Sequence, residues 1–317
     1  MLTLMAAVPR IDPKTIFTPA EWSRLTARSD LMGLGMVAHA WALIAAALLL
    51  FHLAPNPITW AVAVMVVGAR QLGLAILMHE AAHNGLSRNP KINDWVGQWL
   101  CAAPVGTSLA AYRPYHFAHH KHTQTPEDPD LGLSAPFPIT KAGFRRKMIR
   151  DLTGQTFFKL TLLPLFRGLA PSVVTGVKAP KGMARRAAPF LITNAVLFAG
   201  LALMGVWHLY VMVWLVALAT WFPFVTRVRN IAEHACTPVS GDPFGQARTT
   251  RANWLERLLV APYWVHFHAE HHLWPYLPAY RLEEAHRLLI AKGYRPRMAV
   301  EENYADVLRI ATSAKPA

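Results

Sequence analysis

Fifteen histidines stand in this chain, and eight of them fall at spacings that stack imidazoles on one side of a helix. His79 and His83 bracket "HEAAH". His116, His119 and His120 form an i, i+3, i+4 set in "HFAHH", and His268, His271 and His272 repeat that set in "HAEHH". His234 ends the "NIAEH" stretch. Side chains three and four positions apart are neighbours on a helix surface, so each group can aim two or three rings at one point. Imidazole is a good ligand for iron, zinc, copper or nickel, and nine rings suit two ions better than one. Glu80, Glu233 and Glu270 each adjoin one of these histidines. A carboxylate there can accept the outer ring N–H, which fixes the tautomer and raises the basicity of the inward nitrogen. Asp128 and Asp130 follow the second group and offer the same service or a proline-rich turn. His122 breaks the spacing, and His39, His52, His208, His266 and His286 lack such partners, so these six are read as structural.

The elements that must carry these groups are apolar. Hydrophobic residues make up 53% of the chain and charged ones 16%, too greasy a balance for an ordinary soluble enzyme. The runs 31–53 and 57–78 are each long enough to cross about 30 Å of hydrocarbon, and 188–207 with 210–225 makes a second pair. The links "APN" and "HL" are tight, so each pair reads as a hairpin. The expected fold class is all-α integral membrane: four transmembrane helices in two hairpins, in one domain over 1–317. A histidine-rich helical cap is expected from 79–187 and 226–310. The stretch 95–111 is apolar but short, with Pro and Gly inside, and reads as re-entrant or interfacial. The stretch 157–174 carries Lys159 and Arg167 and reads as a helix lying in the interface. The first histidine group begins one residue past the second span, and "NIAEH" sits just past the fourth, so all the groups can converge beneath the membrane.

Charge orients the arrangement. Of 32 Lys and Arg, four precede residue 31, fifteen lie in 79–187, twelve follow 226, and Arg70 lies inside a span. Neither hairpin tip carries any, so the positive-inside rule places both termini and the cap in the cytoplasm. The net charge of +14 is not read as a nucleic-acid footprint, because the basic residues border spans where anionic headgroups attract them. Cys101 and Cys236 are two isolated thiols with neither metal-site spacing nor a framework of bridges. The N-terminus has no basic region followed by an apolar one, and no cleaved signal peptide is expected. An intramembrane Arg is functional by default, and Arg70 is expected either to pair within the bundle or to meet a polar headgroup. Gln71 adjoins it.

At this point the residues resemble a known family. "HEAAH", "HFAHH" and "HAEHH" look like the three histidine boxes of the membrane fatty acid desaturases and their hydroxylase and ketolase relatives, and "NIAEH" matches a further motif of that family. The stretch "NDWVGQWLCAAPVG…YRPYHFAHHKHTQTPEDPDLGL" looks closest to a bacterial branch that includes dihydrorhizobitoxine desaturase-like proteins. The resemblance implies a mushroom-shaped helical fold in the bacterial inner membrane, with a cytoplasmic site. It implies two non-haem irons held by His79, His83, His116, His119, His120, His234, His268, His271 and His272, with Asn230 holding a metal-bound water. It also implies a fatty acyl or lipid-like substrate and O2 as co-substrate. The first box has three residues between its histidines where the acyl-coenzyme A branch has four, which weakens the case for an acyl-coenzyme A substrate. No "HPGG" haem motif is present, so electrons are expected from a separate protein such as a ferredoxin, steered by Arg145, Arg146 and Lys147.

The chemistry fits. No side-chain acid or base removes hydrogen from an unactivated methylene, and a redox cofactor must carry that step. Removing a second hydrogen gives an alkene, and rebound of oxygen gives an alcohol. The expected activity is therefore an O2-dependent desaturase, with a hydroxylase or ketolase as the alternative. An intramembrane zinc protease on the HExxH pattern of "HEAAH" explains neither triplet, and zinc has no redox chemistry. A metal carrier would string its ligands along the spans rather than crowd them at one end. Trp221, Phe222, Trp264 and Trp274 are candidate walls of an apolar tunnel.

Overall fold

The structure is a computed structural model and describes residues 10–169, 183–238 and 241–315. A short α1 (Pro19–Thr26) leads into α2 (Asp30–Leu53), which starts at Ser29, whose hydroxyl accepts the amide of Met32. The chain reverses through residues 54–56 into α3 (Pro57–Ala82). Asn56 caps it by accepting the amides of Ile58 and Thr59, and Pro57 occupies the first turn, where a missing N–H costs nothing. The expected span ended at 78. The helix instead runs on to Ala82, so the first histidine group is mounted rigidly on the membrane helix itself.

After α4 (Pro90–Val96) come wider and tighter turns at Gly97–Ala102 and Ala103–Val105, ending at Gly106 with φ +81°. This is the 95–111 stretch, and it buries Cys101, Ala102 and Ala103. Beyond it lie α5 (Leu109–His122), α6 (Lys141–Leu152) and short helical pieces at Gln155–Phe157, Phe158–Leu162 and Leu163–Leu169. The rest of the expected interfacial stretch lies outside the described residues.

The second hairpin differs from expectation. Among the described residues, α2, α3 and α8 (Tyr210–His234) are long and apolar enough to cross a membrane. The helix preceding α8, α7 (Met183–Leu203), has a shorter apolar part, Ala187–Leu203, and stops before Gly205, whose φ is +76°. The span expected over 210–225 continues, past an irregular turn at Thr220, to His234. The "NIAEH" motif therefore rides on a crossing helix, as the first group does.

The C-terminal part adds α9 (Trp254–Leu259), α10 (His268–Leu273), α11 (Ala279–Ala291) and α12 (Tyr304–Ala311). It is not wholly helical. β1 (Arg248–Thr250) pairs in parallel with β2 (Ala299–Glu301), Thr249 opposite Val300. Three residues each are too few for alternation to show in a sequence. The pair has a purpose: Arg248 is buried and donates to the carbonyls of Ala232 (3.1 Å) and Ala235 (2.8 Å), tying the strand to the end of α8. A second core gathers Phe17, Leu25, Trp274 and Leu282 beneath the cap. Trp274 is fully buried there against Phe17 and Trp22, so it is a packing residue and not a tunnel wall. Trp221 likewise packs its side chain over Gly68 of α3.

One close approach fixes α2 against the cap. A Cβ on Gly33 would lie 2.1 Å from the carbonyl oxygen of Leu86, whereas one on Gly35 would meet nothing within 4 Å. Backbone cannot yield as a flexible side chain can. Gly33→Ala is expected to destabilise the protein by about 1–3 kcal/mol, and Gly35→Ala to be neutral or slightly stabilising, as Ala is the better helix former. Thermal unfolding in detergent checks this. Equal midpoints for the two variants would contradict the packing described.

Candidate metal centre

Four helices bring the nine histidines together. His79 lies in the last turn of α3 and His83 caps it; α5 carries His116, His119 and His120; α8 ends on His234; α10 carries the third set. The rings do not gather box by box. His79, His83, His116, His120 and His271 form one group and His119, His234, His268 and His272 another, with the donor atoms of each group within 4.8 Å of one another. The division follows from the helix repeat. Positions i and i+4 nearly eclipse at 3.6 residues per turn, whereas neighbours diverge by about 100°. His116 and His120 therefore share one group while His119 turns to the other. In the third set, His268 and His272 stay together and His271 crosses over. Of the two or three rings that each triplet was expected to aim at one point, two do so, and the third serves the other group.

In each group the Nε2 atoms face inward. His271 Nε2 lies 2.9 Å from that of His79 and 3.0 Å from that of His120, which is 2.9 Å from that of His116. In the second group His234 Nε2 lies 3.2 Å from that of His119 and 3.0 Å from that of His268. Several outer nitrogens have partners that can take up their protons, whereas Nδ1 of His120 and of His271 is buried without one among the described residues. His119 Nδ1 donates to Asp128 (2.8 Å), and His234 Nδ1 to the carbonyl of Gln246 (3.1 Å). His268 Nδ1 lies 3.2 Å from Glu233, and His116 Nδ1 lies 3.3 Å from the hydroxyl of Tyr112. With protons held outside, the inward atoms present bare lone pairs to one another. Such spacings match the edges of a coordination shell with metal–nitrogen bonds of about 2.0–2.1 Å. His83 Nε2 is buried with no hydrogen-bond partner among the described residues. The donor set thus fits two ions.

Electrostatics agree. Burial first, and the neighbouring imidazoles second, hold His116, His120, His271 and His272 well below the ordinary imidazole value. His83 is brought down to about 3 by burial, then by Arg113 and Arg28. Burial pushes Asp128 up, but its hydrogen bonds from His119 and from the amides of Gln124 and Asp130 prevail and leave it below the usual carboxylate range.

The acidic residues divide. Glu80 Oε1 lies 3.6 Å from His79 Nδ1, and its other oxygen accepts the amide of Ala279 (3.0 Å), bridging α3 to α11. Glu233 lies between Arg229 (2.5 Å) and His268. Glu270 goes elsewhere: its oxygens meet His286 Nδ1 (2.6 Å) and the hydroxyl of Thr249 (2.5 Å). It projects from the side of α10 away from the rings, so it anchors that helix to α11 and β1. His286, read from sequence as partnerless, is its partner. Asp130 accepts from the hydroxyl of Tyr115 and lies 3.7 Å from His119. His122 stays outside both groups. His39 Nδ1 meets the hydroxyl of Tyr263 at 3.1 Å, and His52 lies against His208. Tyr112, Arg229 and Gln246 were not singled out in the sequence. Tyr112 could have been, lying four residues before His116 on the same face.

A cavity of about 230 Å³ adjoins the first group, walled by Leu72, Ile76, Val105, Phe222 and Asn230 and reaching His79. Phe222 is thus a wall residue, whereas Trp264 donates to Glu283 (3.1 Å) and lines a different cleft.

A pair of largely buried all-imidazole clusters, carried in part on the ends of two helices long enough to cross a membrane, defines a candidate metal centre of a membrane protein. The chain belongs to the fatty acid desaturase family, whose sequence profile matches residues 55–302. It is 26% identical to the dihydrorhizobitoxine desaturase of Bradyrhizobium elkanii, over 82% of this chain and 75% of that protein. It is 26% identical to the zeaxanthin 4-ketolase of Chlamydomonas reinhardtii, over 70% of this chain and 42% of that protein. A shorter stretch, 22% of this chain and 19% of the relative, is 32% identical to the sn-1 oleoyl-lipid 12-desaturase of Arthrospira platensis.

Because the folded protein keeps these rings neutral while the unfolded chain protonates them near pH 6.5, the unfolded state binds more protons as pH falls. Stability present above pH 6.5 is therefore lost below it. Each such ring should contribute about 1.4 kcal/mol per pH unit in that range. The thermal midpoint of metal-free protein is expected to fall steeply from pH 7.5 to 5.5. A flat profile would contradict the neutral, inward-facing rings.

Proposed function

We propose that this protein is an O2-dependent non-haem diiron desaturase that introduces a double bond into a fatty acyl or lipid-like chain. The observation that carries this reading is the pair of charge-neutral, all-nitrogen donor sets beside an apolar-walled cavity. The proposed ligands are His79, His83, His116, His120 and His271 for one ion and His119, His234, His268 and His272 for the other. Two irons there would supply what no side chain can, activation of O2 and removal of hydrogen from an unactivated methylene. The reaction balances as RCH2CH2R + O2 + 2 e− + 2 H+ giving RCH=CHR + 2 H2O.

The chain's own residues do the rest. Leu72, Ile76, Val105 and Phe222 hold the substrate and keep water out. Asn230, on the cavity wall, offers its amide to a water beside the ions. Asp128 and Glu233 keep the outer protons of His119 and His268, so their inward nitrogens stay free to bind. The electrons come from a separate acidic protein such as a ferredoxin. A basic groove of about 740 Å³ that includes Arg146, Lys147 and Arg150 on α6 suits such a donor. In this reading α7 and α8 form the second of two hairpins, and the site faces the cytoplasm beneath a bacterial inner membrane.

Ketolases among the relatives favour a second reading, insertion of oxygen into the same kind of carbon. Lipid mass spectrometry of cells with and without the protein separates the two. Desaturation gives a product two hydrogens lighter, and hydroxylation one oxygen heavier. A lipid extract unchanged by expression, with a reductase and ferredoxin supplied, would contradict both. Asn230→Ala is expected to lower turnover about 10–100-fold, as loss of a supporting residue does, while the bound ions remain.

A further inference from the structure

Arg70 takes no part in the histidine centre, yet it is 3% exposed within a membrane helix. Its Nη2 donates to the carbonyls of Leu258 (2.5 Å) and Arg257 (3.3 Å), which caps the end of α9. Its guanidinium carbon lies 5.5 Å from the Tyr263 ring centroid. All of these partners are neutral, and Nε is buried with no partner at all. A few residues away, exposed Arg257 stands 6.0 Å from the ring centroid of Trp264. Neither guanidinium meets a carboxylate among the described residues. Arg does not deprotonate in proteins, so two positive charges remain without a carboxylate partner, one of them buried in a membrane helix. Capping of α9 accounts for one nitrogen of Arg70 and for nothing at Arg257.

Both residues line one cleft of about 340 Å³ between α2 and the segment from Arg257 to Trp264, together with Met32, Gly35 and His39. The nine residues of α2 from Leu31 to His39 give it a depth of about 12 Å, from headgroup level into hydrocarbon. Its floor at Gly35 is open, with no atom within 4 Å of where a Cβ would stand. Its lining suits acyl chains: Leu31 and Met32 are exposed, and Trp254 and Leu255 are exposed on α9, the helix that carries Arg257. Cationic and hydrogen-bonding groups inside, with apolar groups around the mouth, complement an anion that carries hydrocarbon. Guanidinium binds phosphate with charge-assisted hydrogen bonds.

We infer that this cleft binds the phosphate headgroup of an anionic lipid from the leaflet that faces the histidine centre. The lipid neutralises Arg70 and Arg257 and fastens α2 to the cap. It is a site apart from the substrate cavity, which opens on the face of α3 bearing Leu72 and Ile76.

The test uses the full-length protein with phosphatidylglycerol or phosphatidylcholine of the same acyl chains, read by native mass spectrometry and thermal unfolding, with inorganic phosphate as a third arm. One phosphatidylglycerol per chain is expected to survive delipidation and to raise the midpoint more than phosphatidylcholine does. Arg257→Gln should weaken its retention about fivefold, the weight of one basic residue at a membrane surface. Gly35→Leu, which fills the floor and leaves both charges, should weaken it as well, and a cooperative unfolding transition will show that each variant is folded. Equal retention of the two lipids, or undiminished retention in both variants, would overturn the proposal. Stabilisation by inorganic phosphate equal to that by phosphatidylglycerol would identify a free anion as the ligand and overturn the lipid.

Discussion

Eight buried or half-buried imidazoles point their inward nitrogens at one another across 2.9–3.3 Å, with His83 beside them, and the rest of the molecule holds them there. Atoms so arranged repel unless a proton or a cation lies between them. At His116, His120, His271 and His272 protonation is resisted because charge is costly to bury and these rings are crowded by others. A cation satisfies every ring at once, so the geometry stores its preference for metal in the fold. The outer nitrogens sharpen that preference: Asp128 and the Gln246 carbonyl take the protons of His119 and His234, which leaves the inward atoms no choice of tautomer.

Rigidity comes from continuity. α3 runs out of the apolar region as one unbroken helix, and α8 runs on past its irregular turn at Thr220, so that they deliver His79 and His234 on their final turns. The shorter helices are pinned from outside. α10 is held by Glu270, which meets His286 of α11 and Thr249 of β1, and the end of α8 is held by Arg248 of the same strand. The two-stranded sheet is thus a brace that locks the third histidine set against the fourth. Arg113 acts similarly for α5, donating to Asp94 and to the carbonyls of Ala81 and Ala82 at the end of α3.

Much of this could be read from residues alone. Spacing within a helix is a local property, so eight of the nine histidines that converge were marked by it and His234 by the "NIAEH" stretch, and the two long apolar runs at the N-terminal end marked α2 and α3. What spacing cannot convey is which helix faces which. The split of each triplet between two groups depends on the angle at which α5 and α10 meet, and the use of Glu270 by His286 depends on the docking of α11. Nor do three-residue strands or the early stop of α7 before Gly205 leave a periodic trace. Trp274 was misread as a wall because an aromatic beside a histidine box looks the same whether it faces a cavity or a second core.

The most direct test of the account is metal analysis of the purified protein by inductively coupled plasma mass spectrometry, with variants in each donor group. Two irons per chain are predicted, with His120→Ala and His268→Ala each depleting mainly the ion of its own group. A single zinc per chain, or two ions retained in full by both variants, would contradict it.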